Sequence, residues 1–88
     1  MKIKEGYLLR EVAGSNIVVP VGEGAMDFSG VITLNEVGAF IWKILETGAG
    51  KEEIVEKMLS EYDVDKTTAE NDVEEYIREL RGADLIAD

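Results

Sequence analysis

The chain has 88 residues, nine basic and nineteen acidic, with a formal net charge of −10 and 45% apolar residues. That is the length of one small domain, spanning 1–88, with enough apolar residues to fill a core. The absence of Cys and His excludes disulfides, zinc knuckles, iron–sulfur sites and thiol nucleophiles, and removes the commonest general base.

A pI near 4.3 disfavours nucleic acid, whose nonspecific binding is driven by Lys and Arg. No apolar run approaches the ~20 residues of a membrane span, and the first six residues hold no apolar signal region. The expectation is a cytoplasmic protein without enzymatic activity, cofactor, metal, nucleic acid or membrane partner.

Tyr7–Ala13 reads as a strand, Gly14-Ser15-Asn16 as a turn, and Ile17-Val18-Val19 as a second strand that Pro20 ends. Gly22-Glu23-Gly24 opens a flexible connection through Gly30, and Val31–Leu34 is a short third strand. Asn35 suits the N-cap of a first helix, Glu36 suits its dipole, and Gly48 can close it. Val37, Phe40, Ile41, Ile44 and Leu45 form its apolar stripe. Trp42, beside that stripe, reads as a partly buried core aromatic.

A second helix starts near Gly50, with Ile54, Val55, Met58, Leu59 and Tyr62 inward. A third starts at Asp65 or Thr67, with Glu70 completing a capping box from Thr67. It carries Ala69, Val73, Tyr76, Ile77 and Leu80 on one face and Glu70, Glu74, Glu75 and Glu79 opposite. Gly82 ends it, and Leu85-Ile86 can fold back onto the core. The order βββααα, with a tight joint between the last two helices, predicts an α+β, winged helix-turn-helix-like fold.

Such a fold invites a DNA-binding reading, but the third helix shows acids where phosphates would lie. Asp63, Asp65 and Glu74 match the acidic spacing of a calcium loop, yet Thr68 stands where the turn needs Gly. An acyl carrier needs a serine at a helix start, and Ser15, Ser29 and Ser60 are not so placed. Acids spread along helix exteriors are solubilising faces rather than a catalytic carboxylate pair.

Phe28-Ser29-Gly30-Val31-Ile32-Thr33-Leu34-Asn35-Glu36-Val37-Gly38-Ala39-Phe40-Ile41-Trp42 resembles the signature of PqqD-like proteins. Lys51-Glu52-Glu53-Ile54-Val55, Glu61-Tyr62-Asp63-Val64-Asp65, Asp72-Val73 and Ala83-Asp84-Leu85-Ile86 follow the same pattern, so the resemblance spans roughly residues 5–87. Gly50 departs from it, since a Thr cap is frequent there. The family is named for coenzyme pyrroloquinoline quinone (PQQ) synthesis protein D, and its fold is the RiPP precursor peptide recognition element.

The resemblance implies non-catalytic binding of a leader segment from a ribosomally made precursor peptide. The leader is presented to a modifying enzyme, often a radical SAM protein, or to a leader peptidase. It adds as a strand beside Val31, Ile32, Thr33 and Leu34 and packs against Val73, Tyr76, Ile77 and Leu80. An acidic third helix then implies a leader with basic residues beside its apolar anchors, felt by Glu70 and Glu74. The alternative is a winged-helix interaction or regulatory domain with no precursor peptide. Without the resemblance, the apolar helix residues read simply as core. An open strand edge can also pair with a second copy, so both a monomer and a weak homodimer fit.

Overall fold

The computed structural model describes residues 1–21 and 32–87. The element order is β1 (Lys2–Ile3), β2 (Tyr7–Val12), β3 (Ser15–Pro20), β4 (Ile32–Leu34), α1 (Glu36–Thr47), α2 (Lys51–Glu61), α3 (Lys66–Gly82) and β5 (Ile86–Ala87). The three expected strands form an antiparallel sheet in the order β2-β3-β4. Two short strands join them as a separate antiparallel pair, with Ile3 opposite Ile86. Two residues are too few to show an alternation in sequence. The Gly22–Gly30 connection and Val31 lie outside the described residues.

The hairpin turns one residue earlier than the Gly14-Ser15-Asn16 cluster suggests. Val12 pairs with Ser15, leaving a two-residue turn at Ala13-Gly14. Both have positive φ, 51° and 82°, the sign pattern of the tight turn whose twist matches a hairpin. Ser15 and Asn16 therefore join the ladder instead of the loop.

The helix ends follow side-chain chemistry. Asn35 Oδ1 accepts the Gly38 N–H at 2.8 Å and caps α1, and Gly48, at φ 94°, closes it. Of the two residues considered for capping α3, Asp65 serves: its Oδ1 accepts the Thr68 N–H at 2.7 Å. Thr67 lies within the helix, so the Thr67–Glu70 capping box is not formed. Helix from Lys66 onward also replaces the loop that calcium ligation would need.

The core gathers Val18 and Leu34 from the sheet, Ile41, Trp42 and Leu45 from α1, Ile54 and Met58 from α2, and Val73 and Leu80 from α3. Trp42 is buried more deeply than expected, at 0% exposure. The buried positions of α1 go beyond the expected stripe to include Gly38, Ala39 and Trp42, so the helix is enclosed from several sides. Among the described residues the indole Nε1 finds no partner. A buried unpaired N–H costs about 1–3 kcal/mol, whereas burying a large aromatic returns about 4–6 kcal/mol. Packing therefore wins.

Leu85, also fully buried, ties the C-terminal segment down. Its N–H donates to Leu80 C=O and its C=O accepts the Lys4 N–H, both at 2.9 Å, while Lys4 and Asp84 form an ion pair alongside. Leu85→Ala should therefore cost about 2–5 kcal/mol in urea unfolding; a loss under about 1 kcal/mol would place the segment outside the core.

The hydrogen bonds from Thr68 hold the Asp65 carboxyl below its ordinary value of 3.8. Its contribution is full above that value and fades as pH falls through the lowered folded value. Asp65→Asn keeps a cap without the charge, so stability measured on acid titration should lose that part of its slope.

Candidate functional site

The sheet order leaves β4 at an end. Its ladder runs to β3 through Leu34–Asn16, Thr33–Ile17 and Ile32–Val18, and its other edge has no strand partner among the described residues. Alternation turns Ile32 and Leu34 inward and Thr33 to solvent. The strand runs straight into Asn35 and α1, so this edge stands on a fixed corner.

Helix α3 reaches that corner through Tyr76. Its hydroxyl donates to Asn35 Oδ1, the same oxygen that caps α1. Its ring lies over Gly38, where a Cβ would come 2.7 Å from Tyr76 Cε1 and 3.2 Å from Leu34 Cβ. That is inside van der Waals contact, so only glycine lets the ring lie there without a shift. The sequence marks Asn35 only as a cap and suggests no role for Gly38. A glycine inside an apolar helix, where it costs about 1 kcal/mol against alanine, is the signal that could have found it.

The eight residues expected to bind peptide sit at different depths. Leu34, Val73 and Leu80 are buried, Ile32, Tyr76 and Ile77 are half-buried, and Thr33 is exposed; Val31 lies outside the described residues. Helical spacing also divides α3 into two flanks. Asp72 and Glu79 stand four before and three after Tyr76, on its side. Ile77 shares the other flank with Glu70 and Glu74. Glu74 accepts a bond from Lys51 of α2 at 3.4 Å, and Glu70 lines a surface depression with Val55 and Leu59 of α2. Neither acid faces the β4 corner.

Burial raises the Tyr76 phenol above its ordinary range, and the carboxylates of Glu79, Glu75 and Asp72 push the same way by opposing a phenolate. The hydroxyl thus stays protonated as a donor to Asn35. Among the described residues, no group of three or more acidic side chains is placed to hold a metal ion, and no helix is long and apolar enough to cross a membrane.

The family model for Coenzyme PQQ synthesis protein D (PqqD) matches residues 17–86, from mid-β3 to β5. The chain belongs to the PqqD family. The matched span holds β4, Asn35, Gly38 and Tyr76. Among solved structures, the PqqD-family chain is similar to TbiB1 in complex with the TbiA(beta) leader peptide, with a TM-score of 0.76, 31% identity and full coverage of both chains. It is also similar to a lasso peptide synthetase B1 complexed with the leader peptide, at TM-score 0.76 and 18% identity, covering 99% of this chain and 96% of that one; that likeness speaks for the fold. No curated protein matches.

In this PqqD-family chain, Gly38→Ala should lower stability despite the better helix propensity of alanine, because the new methyl displaces Tyr76. In a Tyr76→Ala background the same change should turn neutral or favourable, by up to about 1 kcal/mol. A double-mutant cycle by thermal or urea unfolding reads the coupling. Equal effects in the two backgrounds would refute the contact.

Proposed function

We propose that this chain is a non-catalytic module that binds the leader segment of a ribosomally synthesised precursor peptide by strand addition at β4. The observation that carries the reading is the β4 edge, which has no ladder partner among the described residues, set against the Tyr76 wall of α3. The full-length likeness to TbiB1, solved with a leader peptide, supports it, as does membership of the PqqD family.

In this reading the leader lies along Ile32, Thr33 and Leu34 and uses the backbone groups of the edge that has no ladder partner among the described residues. Tyr76 forms the helix wall. Val73 and Leu80, being buried, support that wall from beneath, and Ile77 braces α3 on its α2 flank. A three-residue strand offers only roughly four outward hydrogen bonds, each worth about 1 kcal/mol net. Micromolar binding needs about 8 kcal/mol, so apolar anchors of the leader seated between β4 and α3 supply the rest. The bound leader leaves its core segment free for a modifying enzyme, such as a radical SAM protein, or a leader peptidase in the cytoplasm.

The test is a titration of ¹⁵N-labelled protein with a synthetic leader of the small peptide encoded beside its gene. Saturable amide shifts concentrated in residues 32–35 and 70–81 are expected. Saturable shifts elsewhere, or none at high peptide concentration, would favour an interaction domain without a precursor peptide.

A further inference from the structure

Alternation sorts the residues of the β2-β3-β4 sheet onto two faces. Tyr7, Leu9, Val18, Ile32 and Leu34 belong to the core or pack against it. The opposite face is built from three cross-strand rows: Leu8–Val19, Arg10–Ile17–Thr33 and Val12–Ser15. Its apolar members, Leu8, Val12, Ile17 and Val19, stand outside the core and outside the residues packed on it. Among the described residues, Leu8 and Val12 are the exposed large apolar side chains, at 40% and 53%. Charge sets this face apart as well. The chain holds nineteen acidic residues, yet none falls in the three rows, whose single charge is Arg10. Arg10 takes part in no ion pair among the described residues.

We infer that this outer sheet face docks a protein partner presenting apolar residues around a carboxylate, and that the partner is the enzyme acting on the peptide held at β4. The inference rests on the leader-binding reading and adds the surface and chemistry of the second partner. An acid-free apolar face with one cation is complementary to an apolar patch with one anion. A second copy of this chain is the wrong match. Face to face, it sets Arg10 against Arg10 with no carboxylate between them, under the mutual repulsion of two chains of net charge −10. A nucleic acid would find one cation and no basic stripe.

Position ties the face to the peptide. The middle row ends on Thr33 of β4, the strand at whose edge the leader adds. An added strand continues the same face, because its alternate residues fall in line with Arg10, Ile17 and Thr33. The three rows cover about 300 Å², against roughly 800 Å² a side in a stable complex. The face alone therefore supports a weak encounter, and the added strand enlarges it. The enzyme thus distinguishes the loaded chain from the empty one.

The experiment combines the full chain, a synthetic leader of the small peptide encoded beside its gene, and the purified peptide-modifying enzyme encoded with them, and reads binding by calorimetry. The enzyme is expected to bind the leader-loaded chain about fivefold or more tightly than the empty one. Leu8→Thr/Val12→Thr keeps β-branched residues in the strand and should weaken enzyme binding about tenfold. Arg10→Glu should weaken it about three- to tenfold, whereas Lys57→Glu, the same charge change on α2, should leave it within about twofold. Leader affinity should stay within about twofold in every variant, and unfolding curves check that each is folded.

Sheet variants that bind the enzyme as the unaltered chain does, or an enzyme that fails to bind the loaded chain, would overturn the inference and leave the leader reading standing. Concentration-dependent self-association that Leu8→Thr/Val12→Thr abolishes would overturn it in favour of a second copy. A leader that binds nowhere on the chain would overturn the leader reading and the inference with it.

Discussion

The ring of Tyr76 lying on the bare Cα of Gly38 is the contact on which the candidate site depends. Helix α3 otherwise packs mainly on α2 and the core. Tyr76 is the strut that carries it across to the end of β4. Asn35 completes the joint because its amide oxygen accepts two hydrogen bonds at once, one from the Gly38 N–H and one from the Tyr76 hydroxyl. A strand end, a helix start and a second helix thus share one oxygen atom. The distance between the β4 edge and α3 is consequently set by covalent geometry and close packing, not by surface charges free to rearrange.

Charge then differentiates the outside of this frame. No polar or charged residue among those described is buried, so the acidic excess sits on the surface. On α3, Glu74 on the flank toward α2 is paired with Lys51 and Arg78, while Asp72, Glu75 and Glu79 take part in no ion pair among the described residues. Exposed pairs of this kind add little to stability; their arrangement bears on which partners can approach.

Much of this fold is legible in the amino-acid sequence. The apolar spacing of Ile41, Ile44 and Leu45, the Asn35 cap and the β-branched run Ile17–Val19 name their own elements, because each signal is local. Leu85 and Ile86 are readable as apolar residues returning to the core, but not as a strand, since β5 exists only through its pairing with residues more than eighty positions earlier. The hairpin turn lies one residue away from its expected place because Ala13, an ordinary-looking residue, takes positive φ beside Gly14. Tyr76 is expected at the site and stands at its corner. Its partner Gly38 is marked in the sequence only as a glycine inside an apolar helix, and its role, the absence of atoms, becomes definite only where a ring approaches it. The apolar set on α3 shows which residues face inward. It cannot separate the flank facing α2 from the flank facing β4, because one helix's periodicity carries no information about its neighbours.

The β1–β5 pairing has a consequence for the order of events during synthesis. Strands β2, β3 and β4 can assemble from nearby residues, and α2 and α3 meet across a four-residue joint. The first strand has no ladder partner until residues 86–87 have been made. The N-terminus can dock earlier, because Met1 exchanges backbone hydrogen bonds with Ala49 just past α1, but its ladder closes only when the described chain is nearly complete. Closing the largest strand-paired loop among the described residues is left to the end, and Ile3 gains its cover from Ile86 only then.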